Sequence, residues 1–201
     1  MSLLTNWGYS VADISYLPGI LSVNEFDTFT ARKYAGDVRI LPTIEAAQAA
    51  IRNYCGWHVY PELPCIFEAD SISTGRVIQL PARFVSSVES VTFNGEKLPP
   101  ESYHLKSNGL LYFDRKFTGS SWGDITVTYT AGVPDGLMDA IKELIAHRVT
   151  HALAQSYGVQ SEAAGGVSVT YNATWTNNAR ATALPSDNKE VLAPYRLQGV
   201  F

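Results

Sequence analysis

Hydrophobic residues recur with helical spacing in some parts of the chain and with strand spacing in others. Between residues 43 and 55, Ile44 and Ile51 belong to one apolar row, and Gly56 follows as a residue suited to a helix C-terminus. The pattern predicts a core helix near 43–55, with Thr43 as its N-cap residue.

Two further helices are predicted from their end signals. A short helix is expected near 23–30, because Ser22 and Glu25 have the spacing of a capping box. A long helix is expected near 134–157, since Pro134 suits a first helical position and an apolar face follows it. Together with the helix near 43–55, these segments predict a helical core.

From residue 60 to residue 132 the hydrophobic period changes to two. The dipeptides Asn94-Gly95 and Asn108-Gly109 each separate two strand-like runs, and such dipeptides are strong hairpin signals. Residues 124–130 alternate apolar residues with threonine, as a half-buried antiparallel strand does. A small antiparallel β domain of about five strands is predicted, inserted between the helices.

The two ends of the chain fall outside this pattern. Residues 1–20 show neither period yet contain large aromatic residues, and they are predicted to form an arm that lies on another surface. Residues 159–166 have the composition of a hinge, and residues 167–175 alternate as a strand with one apolar face. Such a strand needs a partner from its own subunit or from another chain. A short capped helix is predicted before Pro194.

The predicted fold class is therefore α+β, with a helical core, an inserted small antiparallel β domain and extended N- and C-terminal arms. Five parts are expected along the chain. They are an N-terminal arm (1–20), a first part of the helical core (21–59), the β insertion (60–132), the long core helix (133–158) and a hinged C-terminal arm (159–201).

Composition narrows the class of protein. Charged residues make up only 17% of the 201 and hydrophobic residues 46%, so part of the surface is expected to be covered. The formal net charge of -4 gives no overall basic field, which argues against a sequence-reading DNA-binding protein. Cys55 and Cys65 lack metal-ligand spacing and are expected to be reduced thiols. The sequence shows no secretory signal and no membrane span, so synthesis in a reducing cytoplasm is expected.

Candidate catalytic motifs lack the context that their chemistry needs. A Gly-x-Ser-x-Gly run surrounds Ser121, but a nucleophile elbow needs a strand before the serine and a helix after it, and here a strand follows. His147 and His151 are four residues apart with Glu143 one turn earlier, but this chain has Arg148 where a zincin has its glutamate base. A serine hydrolase that uses Ser121 with one of these histidines is a minor alternative.

Trp57, His58 and Tyr60 follow the predicted helix near 43–55. They favour an aromatic plug where the helix meets the sheet, and they leave open a stacking platform for a ligand. A further alternative is a binding module for a small ligand or a carbohydrate, with an aromatic cleft in the β insertion. No phosphate-binding glycine loop is present, and the residues indicate neither a metal nor another cofactor.

Several runs of residues resemble the head–tail connector (adaptor) proteins of tailed bacteriophages. The resemblance covers most of residues 20–157 and the last ten residues, and it is a pattern of structural residues rather than a catalytic signature. The runs are ILSVNEF at 20–26, KYAGD at 33–37, AAIRNYCGWHV at 49–59, VTYTAGVPDGLMDAIKELIAHRV at 127–149 and LAPYRL at 192–197.

This resemblance implies a structural virion protein without enzymatic activity. It implies a ring, commonly of twelve copies, beneath the portal protein and above a stopper or tail-completion protein, with no membrane partner. Genomic DNA would pass through the ring without sequence-specific binding, and a weakly acidic chain suits such a channel. Contacts between chains are predicted at four residues, with the aromatic ones as anchors and the arginine as a directed polar contact: Tyr171, Trp175, Tyr195 and Arg196.

Overall fold

The computed structural model describes residues 2–70, 75–116, 123–154, 161–164, 167–170 and 184–197. It contains helices and antiparallel sheets, which confirms the α+β class. The chain divides into two compact units. We name them by their content: the β unit is residues 1–18, 55–137 and 195–201, and the helical unit is residues 19–54 and 138–194.

The described residues form four α-helices. Short 3-10 turns at Asp135–Leu137 and Ala193–Tyr195 flank two of them. The helices are α1 (Val23–Phe29), α2 (Ile40–Cys55), α3 (Asp139–Ala154) and α4 (Ser186–Leu192). No helix within the described ranges is long and apolar enough to span a membrane.

Helix α1 begins where the sequence predicts. The Glu25 N–H donates to the Ser22 hydroxyl at 3.2 Å, and the Ser22 N–H donates to the Glu25 carboxylate at 2.8 Å. This is the predicted capping box, and it satisfies two N–H groups that the first turn leaves without helical partners. Phe26 is completely buried on the inner side of the helix.

Helix α2 begins three residues earlier than predicted, and Thr43 is not its N-cap. The Thr43 hydroxyl and N–H both donate to the Arg39 carbonyl, at 2.6 and 3.1 Å, as in a turn that is already helical. Pro42 is tolerated because the N–H that proline lacks has no partner in the first helical turn anyway. The Asp37 carboxylate accepts the Arg39 N–H at 2.9 Å and fixes the entry to the helix.

The long helix starts later than predicted. Instead of beginning at Pro134, the chain closes a 3-10 turn, in which the Leu137 N–H donates to the Pro134 carbonyl at 2.9 Å. The α-helix then runs over Asp139–Ala154 and buries one face in the helical unit. The predicted end near 157 lies outside the described residues. The terminal helix α4 is present, but its N-cap is Pro185 and it has no side-chain cap.

The strands of the β unit form two antiparallel sheets. The larger sheet has the order β1-β2-β3-β9-β5-β6, and the smaller one has the order β4-β8-β7. The strands are β1 (Leu3–Leu4), β2 (Tyr9–Val11), β3 (Leu63–Ala69), β4 (Val77–Gln79), β5 (Val85–Phe93), β6 (Glu96–Lys97), β7 (Tyr103–Lys106), β8 (Leu110–Phe113) and β9 (Ile125–Ala131).

Both Asn-Gly dipeptides lie in hairpins, as predicted. Asn94 and Gly95 join β5 to β6 with positive φ angles of 51° and 80°, the combination that a two-residue hairpin turn requires. Gly109 ends the turn between β7 and β8, at φ +73°. A Cβ atom there would overlap the Ala82 carbonyl oxygen, so this position needs glycine.

Strand β9 lies inside the larger sheet and has the predicted alternation. Ile125, Val127 and Tyr129 are completely buried, while the threonines between them are half-buried. It pairs with β3 on one side and with β5 on the other. The larger sheet is thus built around the strand whose pattern is clearest in the sequence.

The extended N-terminal arm that the sequence predicts is not confirmed. Residues 3–4 and 9–11 form a hairpin that pairs with β3, in a register that places Tyr9 opposite Phe67 and Val11 opposite Cys65. Tyr9 and Val11 are buried. Strands of two and three residues are too short to show a period, which is why the sequence pattern missed them.

The predicted hinge is also corrected in part. Strand β10 (Ser161–Ala164) pairs antiparallel with β11 (Val167–Thr170), so four residues of the expected hinge are a strand. The predicted strand 167–175 therefore finds a partner in its own chain over residues 167–170. Residues 171–175 lie outside the described residues.

Candidate assembly site

The residues that follow α4 return to the β unit; we name Tyr195–Leu197 the C-terminal clasp. The Leu197 N–H donates to the Cys55 carbonyl at 2.8 Å. The Trp57 indole N–H donates to the Tyr195 carbonyl at 2.7 Å. Two main-chain groups of the clasp are thus bound by the last residue of α2 and by Trp57, two residues further along the chain.

The Tyr195 side chain adds two further contacts within the β unit. Its hydroxyl donates to the Leu137 carbonyl at 3.1 Å. Its ring stacks on Phe84 with centroids 5.9 Å apart, and Phe84 in turn stacks on Trp57 at 6.2 Å. This three-ring stack ties the clasp to the connection between the two sheets, and aromatic pairs of this kind contribute roughly 0.5–1.5 kcal/mol each beyond their burial.

A hydrogen-bonded histidine lies beside the stack. His58 is completely buried, with Nδ1 2.7 Å from the Tyr9 hydroxyl and Nε2 2.9 Å from the Ala131 carbonyl and 3.1 Å from the Pro61 carbonyl. Carbonyl oxygens only accept, so the proton lies on Nε2 and Nδ1 accepts from Tyr9. The imidazole links β2, β9 and the segment before β3. Trp57 and His58 therefore form the predicted aromatic plug rather than an exposed platform.

The two cysteines are structural. Both are free and completely buried. Burial raises the pKa of each thiol to about 12, so both remain protonated at neutral pH. A protonated, inaccessible thiol is neither a nucleophile nor a metal ligand, in agreement with the sequence prediction.

The predicted hydrolase residues do not form a site among the described residues. His147 is exposed on α3 and His151 is half-buried; burial and the neighbouring His147 lower the pKa of His151. Ser121 lies outside the described residues. Within the described ranges, no three His, Cys, Asp or Glu side chains come together in a way that could hold a metal ion.

Large apolar side chains are exposed on each unit. In the helical unit, Phe29 is the last residue of α1, Leu41 lies in the first turn of α2, and Val38 lies between the two helices. Their side chains are 51%, 54% and 89% exposed, in that order. In the β unit, Leu4 and Tyr16 are each 76% exposed. Single exposed apolar side chains are common on protein surfaces, and only a contiguous patch of them marks a contact surface.

The four predicted contact residues fall into two groups. Tyr171 and Trp175 lie outside the described residues. Tyr195 and Arg196 belong to the C-terminal clasp, where Tyr195 is half-buried against its own chain and Arg196 is exposed. A role for these residues between chains stays a prediction. No pattern in the sequence points to Phe84, because this residue lies in a loop without a hydrophobic period.

His58 and the two cysteines are buried inside the fold, and several large apolar side chains are exposed. The helices and antiparallel sheets define a protein of the α+β class. The chain belongs to the head completion protein family, whose family model matches residues 19–197. This membership confirms the resemblance to head–tail connector proteins and identifies a non-enzymatic structural protein of the virion neck.

Solved structures with a similar fold come from gene transfer agent (GTA) particles. The neck of the native GTA particle, computed with C12 symmetry, matches with a TM-score of 0.56 at 17% identity over 95% of this chain and 97% of the other. The neck of the empty GTA particle, computed with C6 symmetry, gives a TM-score of 0.55 at 17% identity with the same coverage. The virion of the native particle gives 0.53 at 18% identity, again over 95% and 97%. A search of curated proteins finds no significant match.

Proposed function

We propose that this chain assembles into a closed ring of twelve copies between the portal protein and a stopper or tail-completion protein. Genomic DNA passes through the ring without base-specific contacts. The observation that carries the proposal is the match to the head completion family over residues 19–197. The similarity in fold to chains of GTA necks computed with C12 and C6 symmetry supports a ring, because copies related by rotation close into one.

A ring of identical copies needs two different surfaces on each copy, since each contact joins one surface to the other. We expect Tyr171 and Trp175 to supply aromatic anchors for such contacts. Arg196 extends from the C-terminal clasp as an exposed cation and supplies a directed polar contact. Tyr195 contributes by holding the clasp in place through its contacts with Phe84 and Leu137.

The five-part division predicted from the sequence is retained as a proposal about assembly. In it, the C-terminal arm (159–201) contacts other subunits, while the helical core (21–59 and 133–158) and the β insertion (60–132), with the N-terminal hairpin paired to β3, form the body of the ring. The compact units support the distinction between a strand-rich and a helical body.

Deletion of the gene from the producing genome tests this function. Without the chain, heads should complete packaging but fail to join tails, so electron microscopy should show separate heads and tails. Expression of the wild-type chain in trans should restore joined particles. Tailed particles at the wild-type frequency in the deletion strain would contradict the proposed function.

A further inference from the structure

The smaller sheet of the β unit presents an exposed face with a distinct composition. Alternation along its strands turns Ile78 and Leu111 inward, where both are buried. The register of β4, β8 and β7 aligns the outward positions in two rows across the strands: Val77, Tyr112 and His104 in one, and Gln79, Leu110 and Lys106 in the other.

Four exposed cations lie on the strands of this sheet or directly next to them in the chain. Lys106 is exposed, and its Nζ lies 5.7 Å from the centre of the Tyr112 ring. Arg76 is exposed at the start of β4, where its carbonyl accepts the Phe113 N–H at 2.8 Å from the end of β8. The next residues after β8 include two more exposed cations. We name the set the basic face: Arg76, Lys106, Tyr112, Arg115 and Lys116.

The spacing of these charges follows from the strand register. Lys106 on β7 lies opposite Leu110 on β8. Leu110 is three residues before Phe113, whose N–H donates to the Arg76 carbonyl. At about 3.4 Å per residue, Lys106 is roughly 10 Å along the strands from the end where the other cations lie. The charges therefore extend along the sheet instead of meeting at one point.

The basic face contrasts with the charge of the whole chain. The sequence has fifteen Lys and Arg against nineteen Asp and Glu, a formal net charge of -4. Four of the cations lie around this one small sheet. The carboxylate of Asp114, 3.6 Å from His104, lies beside these cations and offsets one of their charges. A local positive potential follows, although the composition shows a weakly acidic protein.

The composition of the face favours a polyanion over a protein partner. Lysine is depleted at protein interfaces, whereas lysine and arginine side chains clustered on one face are typical of surfaces that contact nucleic acid backbones. Val77 and Leu110 are half-buried and Tyr112 is 38% exposed, so the described residues of this face present no large apolar patch to anchor another protein.

We propose that the basic face contacts the phosphate backbone of double-stranded DNA without reading its sequence. The assignment of this polyanion rests on the proposed function, which places DNA beside the chain. Contacts of this kind are screened by salt and let a protein slide along DNA, so they are compatible with a channel through which the genome moves. They would hold the DNA loosely when it is at rest in the neck.

Binding of the full-length chain to a fluorescently labelled, random-sequence duplex tests the proposal. Each neutralised phosphate contributes a slope of about -0.9 to log K against log salt, so four cations predict a slope of roughly -3 to -4. Single substitution Lys106→Ala should reduce that slope by about 1, whereas Lys33→Ala, at an exposed lysine of the helical unit, should leave it unchanged.

A charge-reversal pair makes the test specific to the face. The variant R76E/K106E/K116E should lose duplex binding, and the control R32E/K33E/K189E, with the same change in net charge at exposed positions of the helical unit, should retain most of it. All six positions are exposed, so circular dichroism and the unfolding midpoint should match the wild type for both variants. Equal loss of binding in both variants would overturn the proposal, as would a wild-type chain that shows no salt-dependent binding.

Particle assembly separates this inference from the proposed function. The variant R76E/K106E/K116E should still be incorporated into particles and join heads to tails, while the DNA in its necks becomes more accessible to nuclease than in the wild type. If the variant fails to enter particles although the wild-type chain does not bind the duplex, the face docks on an acidic protein and the DNA proposal is wrong. If the wild-type chain binds the duplex but is absent from necks, the proposed function fails and the DNA contact stands.

Discussion

At the scale of single residues, the buried polar groups of the β unit depend on partners within that unit. His58 is completely buried, and its two ring nitrogens and its N–H contact Tyr9 and two carbonyls. A buried polar group that loses its partner costs more free energy than the hydrogen bond itself contributes. Tyr9 is therefore important to the stability of the fold. The sequence does not reveal this, because its hairpin is too short to show a hydrophobic period.

We predict that Tyr9→Phe lowers the free energy of unfolding by about 1–3 kcal/mol, because it removes the hydroxyl that meets both His58 Nδ1 and the His58 N–H. Urea denaturation measures the change. Tyr16→Phe removes a hydroxyl from a side chain that is 76% exposed and should change stability by less than about 0.5 kcal/mol. Equal stability of the two variants would contradict this account of His58.

The carboxylate of Glu25 makes the stability of the helical unit depend on pH. A hydrogen bond from Lys142, with further bonds from Ser22, lowers the pKa of Glu25 from 4.5 to about 2, even though partial burial opposes the shift. Because the folded state has the lower pKa, the stabilisation is complete above about 4.5 and is lost as the pH falls towards 2.

We predict that the difference in unfolding midpoint between the wild type and Glu25→Gln disappears between pH 4.5 and about 2. Urea titrations at a series of pH values measure it. The matched change Glu45→Gln, at an exposed position of α2, should keep the pH dependence of the wild type. A Glu25→Gln variant whose difference from the wild type is constant down to pH 2 would show that the Lys142 pair does not stabilise the fold.

The two thiols give a prediction about reactivity. With the pKa of each raised to about 12 by burial, Cys55 and Cys65 should not react with a thiol reagent at pH 8 in the native protein. Both should react at once in denaturant. Mass spectrometry counts the modified thiols, and rapid labelling of either cysteine in the native state would show that the β unit opens at that site.

At the scale of elements, the sequence predicted those helices and hairpins whose signals lie within a few residues of each other. The capping box at Ser22 and the two Asn-Gly turns are short-range signals, and the structure has α1 and both hairpins where they predict them. The start of α2 was predicted three residues too late because Thr43 suits an N-cap, whereas the helix already includes Pro42, which fits its first turn. The pairing of β2 with β3 joins residues more than fifty positions apart, and no local pattern records such a contact.

The C-terminal clasp is the element whose stability can be tested by itself. Tyr195→Ala removes the stack on Phe84 and the hydrogen bond to Leu137, and should lower the free energy of unfolding by about 1–3 kcal/mol. Tyr195→Phe keeps the ring and should cost no more than about 1 kcal/mol.

Hydrogen exchange gives a local readout for the same variants. The Leu197 amide donates to Cys55, so its exchange should become faster in Tyr195→Ala and change little in Tyr195→Phe. Tyr16→Ala, at an exposed aromatic residue, is the control and should leave this amide protected. Unchanged protection of Leu197 in Tyr195→Ala would mean that Tyr195 does not hold the clasp.

At the scale of the whole molecule, the sequence predicted the class of protein better than its surfaces. A low charge content and the resemblance in residues 20–157 led to a structural neck protein, and the family match agrees. The basic face could not be predicted in this way. Arg76, Lys106 and Lys116 are spread over forty positions, and only the pairing of β4, β8 and β7 brings them around one sheet.

The most direct test of the central claim is the mass of the complex that the chain forms with its portal. Native mass spectrometry of the portal oligomer mixed with an excess of the purified chain counts the copies bound. The account predicts a single discrete species with twelve chains of 22.0 kDa on each portal. A chain that stays monomeric beside an unchanged portal mass would contradict it.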